Sequence, residues 1–261
     1  MKGIILAGGA GTRLSPLTQV VSKQLLPVYD KPVIFYSLST LLHAGVNEVL
    51  VITNPENLQD FQNLLGAGSE LGISIEYEVQ NSPRGVAEAL LIGRNFLSDE
   101  NFWLILGDNL FHGPNFGRKL KEVSDSGIAT VFSYHVNNPE EFGVMIYDAN
   151  GRPESIEEKP SLPVSNWAIP GLYFLNQMSI KYAEKLSPSS RGELEITDVL
   201  SAHLRDQSLN TMQVSRGNAW FDLGSFDSLL KASNFVQMIQ SIQGQRIGDP
   251  HEAAINARKP K

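Results

Sequence analysis

The chain has 261 residues, of which 42% are hydrophobic and 19% charged, a balance that supports one large folded domain and excludes a mainly disordered chain. Its formal charge of −7 excludes a broad nucleic-acid surface, which calls for clustered Lys and Arg, but leaves room for a mononucleotide held by a few local cations. Cysteine is absent, which excludes disulfides and thiolate metal sites, and the apolar run after Met1-Lys2-Gly3 stops at Ala7, too short for a signal segment or a membrane span, so a cytoplasmic protein with no membrane partner is expected.

In chain order, short apolar runs at residues 3–7, 48–53, 73–79, 102–106 and 129–135 read as strands, several of them apolar throughout as when both faces are covered. Helical stretches at 32–44, 55–65, 86–96 and 115–123 fall between them, a spacing that predicts βαβ units, an α/β fold and a mainly parallel sheet. The second half is less regular, with strands expected at 143–147, 155–158 and 171–175 and helices at 196–205 and 225–242. A single domain over 1–242 is expected, followed by a polar tail, 243–261, that is loosely ordered.

The first motif follows the first strand: Leu6-Ala7-Gly8-Gly9-Ala10-Gly11-Thr12-Arg13-Leu14. Glycines let backbone N–H groups approach phosphate, and a loop at the carboxyl end of a parallel strand is where open α/β sheets bind ligands. No Lys-Ser/Thr pair follows as in a P-loop, and Leu14 stands where a dinucleotide fingerprint has its third glycine. Arg13 adds a guanidinium that can fork onto phosphate oxygens; the plainer reading is a connecting turn with Arg13 in solvent. Ser22-Lys23-Gln24-Leu25-Leu26-Pro27 supplies a second cation. Asp108, one glycine beyond the apolar run 102–106, is placed to hold a hard cation that bridges phosphates, although a cap or turn residue is an equal reading of an isolated Asp. Glu157-Glu158-Lys159-Pro160 reads alone as an exposed charged turn. The five histidines lack metal-ligand spacing, and no serine sits in a nucleophile-elbow context.

Taken together, Gly8-Gly9-Ala10-Gly11-Thr12-Arg13-Leu14-Ser15-Pro16-Leu17-Thr18 and Ser22-Lys23-Gln24-Leu25-Leu26-Pro27-Val28-Tyr29-Asp30-Lys31-Pro32 resemble the signature of the sugar-nucleotide pyrophosphorylases, and in particular of the glucose-1-phosphate thymidylyltransferases. The resemblance runs from Met1 to about residue 252. It implies a Rossmann-like, three-layer α/β/α nucleotide-diphospho-sugar transferase fold with a mixed, mainly parallel central sheet. It implies magnesium-dependent transfer from dTTP to glucose 1-phosphate, giving dTDP-glucose and pyrophosphate, in a homo-oligomer.

By the same resemblance Gly8, Gly9, Gly11, Thr12, Arg13, Lys23 and Gln24 hold the triphosphate, Gln80 and Gly85 read the base, and Asp108 and Asp222 hold the metal. Asn109, Gly143, Glu158, Lys159 and Ile169 line the sugar end, and Arg13, Lys23 and Lys159 act in catalysis. Phe142, Ile169-Pro170-Gly171, Leu223 and Arg84 stand where the family usually has Tyr, Val-Thr-Gly, Thr and Asp, which bears on sugar and base preference. The family usually continues into helices that build a second, regulatory nucleotide site, so a dimer or other small oligomer with little end-product inhibition is expected. A non-catalytic nucleotide-sugar sensor and a pyrophosphorylase for UTP or another sugar 1-phosphate remain the alternatives.

Overall fold

The run Gly3-Ile4-Ile5-Leu6-Ala7 shows in miniature how the sequence makes this fold. Ile5 and Ala7 enter one apolar layer while Ile4 and Leu6 enter another on the opposite side of the sheet, because successive side chains of a strand point to opposite faces. The same alternation recurs in Val49 and Val51 against Leu50 and Ile52, and in Trp103 and Ile105 against Phe102 and Leu104. A strand covered on both faces must be apolar at every position.

The computed structural model describes residues 1–98 and 100–258. Its elements are β1 (Lys2–Leu6), β2 (Pro27–Val28), β3 (Lys31–Pro32), α1 (Val33–His43), β4 (Glu48–Thr53), α2 (Leu58–Leu65), β5 (Ser74–Val79), α3 (Glu88–Ile92), α4 (Arg94–Leu97), β6 (Phe102–Leu106), β7 (Asn109–His112) and α5 (Phe116–Ser126). They continue with β8 (Thr130–His135), β9 (Gly143–Tyr147), β10 (Pro153–Glu158), β11 (Trp167–Ala168), β12 (Leu172–Leu175), α6 (Gln177–Ala183), α7 (Ile196–Arg205), β13 (Asn210–Gln213), β14 (Ala219–Asp222), α8 (Phe226–Gln243) and α9 (Pro250–Arg258).

The main sheet has the order β10-β9-β11-β8-β12-β6-β1-β4-β5, with β13 added to β8. Strands β5, β4, β1 and β6 are parallel, whereas β12 runs antiparallel to both β6 and β8, so the expected mixed, centrally parallel α/β sheet is present. Leu38, Leu41, Phe116, Leu120 and Ala253 cover one face and Leu90, Ile180, Val199 and Leu200 the other. A third apolar cluster, Val28, Val33, Tyr36, Leu110, Leu223, Ala232 and Val236, seats α8 on the β2–β3 hairpin. Because β12 is antiparallel, its first residue pairs near the last of β6, Leu172 with Ile105, and brings Ile169 and Gly171 to the rim formed by the carboxyl ends of β1, β4 and β6.

Several expectations shift. The helix expected over 86–96 is split into α3 and α4 at Gly93, where a Cβ would come within 2.6 Å of Ile4 Cδ1. The short pairs β7–β14 and the strand β11 were not anticipated, nor was α6. The stretch after Gln243, expected as a loose polar tail, carries α9. Asp249 Oδ1 accepts from the N–H groups of His251 and Glu252 at 2.9 and 3.3 Å, Pro250 stands at the helix start, and Ala253 and Ala254 are buried, so a capped start and a small apolar face outweigh the polar composition. The last three residues of that stretch, 259–261, lie outside the described residues. Among the described residues no helix is long and apolar enough to cross a membrane.

Candidate active site

Two adjoining cavities of about 280 and 210 Å³ open at this rim and share Lys23, Val86, Leu106, Asp108 and Glu193. The first is walled by Gly9, Ala10, Gln24, Gln80 and Gly85, the second by Arg13, Asn109, Gly143, Glu158, Lys159, Ile169 and Asp222. Most of the residues expected at the site therefore line one connected hollow. Gly8, Gly11 and Thr12 belong to its loop without forming its wall. Gly11 adopts a left-handed φ of 61° with the space beyond it filled by Thr18 and Lys23, and Gly8 lies against Gln80. Thr12 is exposed and opens a short 3-10 turn, Thr12–Leu14.

Lys23 and Asp108 form an ion pair where the two cavities meet. Burial opposes ionisation of both. The Asp108 carboxylate nonetheless holds the Lys23 ammonium above its ordinary pKa, and Lys23 in turn holds Asp108 below the usual carboxylate range. Asp222 ends β14 and is brought here by pairing with β7, Asp222 opposite Asn109, and by the Leu223 N–H bond to the Asp108 carbonyl at 2.9 Å. Burial, with the charge of Asp108 behind it, pushes the Asp222 carboxyl up to about 6. Lys23 thus compensates one of two neighbouring carboxylates and leaves the other short of positive charge, an arrangement that favours a further cation. Arg13 reaches the same place from the glycine loop: its Nη2 would lie 2.8 Å from a Cβ on Gly224, and Nη1 is 3.4 Å from Glu141 Oε2. Asn109 is fixed from three sides, its Oδ1 accepting from Trp220 Nε1 at 2.7 Å and from the Gly171 N–H at 3.1 Å while Nδ2 donates to Asp108. Its side chain therefore orients Asp108 as well as walling the cavity.

At the far end of the second cavity, β10 pairs Glu158 with Gly143. A Cβ at Gly143 would come within 2.7 Å of Thr197 Cγ2 and 3.2 Å of Glu158 Oε2, so only glycine keeps this corner open. Glu158 accepts from Thr197 Oγ1 at 3.1 Å and lies 3.3 Å from Arg191 Nη2. Burial and the neighbouring Glu195 push the Glu158 carboxyl above its ordinary pKa. Lys159 follows with a left-handed φ of 44°, held by its N–H bond to the Phe142 carbonyl at 3.0 Å. That conformation costs a non-glycine residue about 1 kcal/mol, and it sits in the cavity wall.

Among the wall residues that escaped the sequence reading are Arg191, Glu195, Thr197 and Tyr173. Arg191 grips Glu195 with Nε at 3.1 Å and Nη2 at 2.9 Å, and its Nη2 also lies 3.0 Å from Glu193. The only sequence signal was the charge density of Arg191-Gly192-Glu193-Leu194-Glu195, which a solvated loop would show equally. Of the unusual positions, Phe142 packs on Trp220 with ring centroids 5.0 Å apart, Leu223 is buried under α8, and Arg84 pairs with Glu88 at 3.5 Å.

Comparison with known proteins places the chain in a family. Residues 2–238 match the family model described as Nucleotidyl transferase. The chain is 52% identical over 255 residues to a glucose-1-phosphate thymidylyltransferase of Neisseria meningitidis serogroup A, covering 97% of this chain and 88% of that one. It is 49% identical over 257 residues to the glucose-1-phosphate thymidylyltransferase of Mycolicibacterium smegmatis, covering 98% and 89%. A Bacillus anthracis structure solved with sucrose, named as a candidate enzyme of the same activity, superposes with a TM-score of 0.82 at 37% identity, covering 90% of this chain and 94% of that one. By sequence and by fold, the chain belongs to the nucleotidyl transferase family.

Proposed function

We propose that the protein is a glucose-1-phosphate thymidylyltransferase that joins dTTP and glucose 1-phosphate into dTDP-glucose with release of pyrophosphate. The observation that carries this reading is the junction of the two cavities, where Arg13, Lys23, Asp108 and Asp222 converge between a wall bearing Gln80 and Gly85 and a wall bearing Gly143, Glu158 and Thr197. In this reading Gly9, Gln24 and the loop from Gly8 to Arg13 hold the triphosphate, Gln80 and Gly85 face the base, and Gly143, Glu158, Ile169 and Tyr173 face the sugar.

The nucleophile, a phosphate oxygen of glucose 1-phosphate, is already an anion, so no general base is required. The chain's task is alignment for in-line attack on the α-phosphorus and neutralisation of charge. Lys159 and Arg191 stand at the sugar end of the cavity to hold the incoming phosphate. Arg13 and Lys23 stand where charge develops on the transferring and leaving phosphates. Glu158, held by Thr197 and Arg191, accepts from sugar hydroxyls.

Asp108 and Asp222 would hold a magnesium ion, which would supply a Lewis acid to neutralise developing phosphate charge. The donor set fits: a buried and a half-buried carboxylate, oxygen only, with Lys23 compensating the buried one. No cluster of three or more His, Cys, Asp or Glu able to hold a metal occurs among the described residues. The proposal extends to a cytoplasmic homo-oligomer.

The reverse reaction tests the assignment, since one phosphoanhydride replaces another and the equilibrium is readily approached from either side. Purified protein with magnesium, dTDP-glucose and pyrophosphate is expected to yield dTTP and glucose 1-phosphate. Absence of both products under conditions where the protein remains folded refutes it.

A further inference from the structure

Gln80 follows β5 at the back of the first cavity and is 4% exposed. Its amide nitrogen donates to Glu88 Oε2 at 2.8 Å and to the Gly85 carbonyl at 3.4 Å. A carboxylate and a carbonyl only accept hydrogen bonds, so the amide cannot turn over without setting its oxygen against two acceptors. Both amide hydrogens are engaged, and among the described residues Oε1 accepts nothing from the protein. That oxygen faces the glycine loop, where a Cβ on Gly8 would lie 2.8 Å from it. Glu88 is itself restrained, with Oε1 3.5 Å from Arg84 Nη1 and a side chain only 15% exposed. In the same wall the Gly85 N–H has no protein acceptor among the described residues, and Gly85 is fixed by close packing against the Leu194 backbone.

One acceptor beside one donor is the complement of an imide edge, in which a ring N–H adjoins a carbonyl. Thymine and uracil present that edge. Cytosine in the same pose presents a ring nitrogen lone pair to the amide oxygen and an amine to the backbone N–H, two like groups opposed at each position. We propose that Glu88 is a positioning residue for base selection: by fixing the Gln80 amide with its oxygen toward the base, it makes the site choose an imide pyrimidine over cytosine. This rests on the reading of the first cavity as the base site.

The test is steady-state kinetics of the full chain with magnesium and glucose 1-phosphate, comparing kcat/KM for dTTP and for dCTP. Wild type, Glu88→Gln, Glu88→Leu and Gln80→Leu are measured, with thermal unfolding of each. Gln80→Leu is expected to lower kcat/KM for dTTP by about 10-fold or more, the loss of one buried hydrogen bond. Either Glu88 substitution frees the amide to turn over, and the dTTP-to-dCTP ratio is expected to fall by about 10-fold, with kcat on dTTP nearly retained. A purely structural role for Glu88 would depress both nucleotides together and leave the ratio unchanged. The near-isosteric Glu88→Gln decides the matter if Glu88→Leu does not fold. An unchanged ratio in folded Glu88→Gln, with Gln80→Leu impaired on dTTP, overturns the positioning role alone. Wild-type use of dTTP by Gln80→Leu overturns the base-site reading beneath it.

Discussion

Removing the Arg13 guanidinium separates chemistry from stability, because the structure gives the side chain little part in the fold. Its side chain is 60% exposed, and its ion pair with Glu141 at 3.4 Å joins two exposed groups. Such a pair contributes about 0–1 kcal/mol, and for a chain of this length each kcal/mol moves Tm by roughly 2–4 °C. Arg13→Ala is therefore expected to shift Tm by no more than about 4 °C. At the site the same group stands beside Asp222 and Gly224, facing the position where charge develops on the phosphates. Loss of one preorganised stabiliser there is expected to lower kcat by roughly 10²-fold. Pyrophosphate release at saturating dTTP and glucose 1-phosphate, alongside a thermal melt, makes the comparison. If KM for dTTP rises while kcat is unchanged, Arg13 is a ground-state anchor and its catalytic assignment is wrong.

Asp222→Asn removes a carboxylate that repels Asp108 and is expected to abolish turnover while raising Tm of the metal-free protein; Asp108→Asn strands Lys23 and is expected to abolish turnover and lower Tm. Gly85→Ala would set a Cβ 2.4 Å from the Leu194 carbonyl at a φ of 105°, so KM for dTTP should rise and Tm should fall by roughly 5 °C or more. His203 is buried between Ser179 and Ser208, at 2.8 Å from each hydroxyl, and burial lowers its pKa more than the opposing charge of Asp206 raises it. A folded pKa below the ordinary value of about 6.5 means that its contribution is complete above that pH and is lost as pH falls from there through the folded pKa. Tm should therefore drop more steeply in wild type than in His203→Gln on acidification through that window, and parallel curves would refute the assignment.

What the sequence disclosed depended on how local the determining physics is. The parallel strands were legible because burial on both faces leaves a continuous apolar run, as in Phe102-Trp103-Leu104-Ile105-Leu106. The glycine loop and Asp108 were legible because each lies within two residues of the end of such a run. Asp222 and Glu158 could be placed only through the family resemblance, since β14 reaches β7, and β10 reaches β9, through pairings that no local period encodes. Arg191, Thr197 and Glu88 stayed hidden for a related reason: their roles consist of contacts to Glu158 and Gln80 made across 33, 39 and 8 residues of chain. The helix α9 was written in Asp249-Pro250-His251-Glu252 as a cap and an N1 proline, a signal that the surrounding polarity masked.

The most direct test of the account is pyrophosphate release by purified protein with magnesium and glucose 1-phosphate, with each nucleoside triphosphate supplied in turn. Release is expected to be fastest with dTTP, slower with UTP and poor with ATP, GTP and dCTP, and to cease when magnesium is withdrawn. Release that favours a purine triphosphate contradicts the base assignment, and no release with any of them contradicts the catalytic reading and leaves a protein that only binds sugar nucleotides.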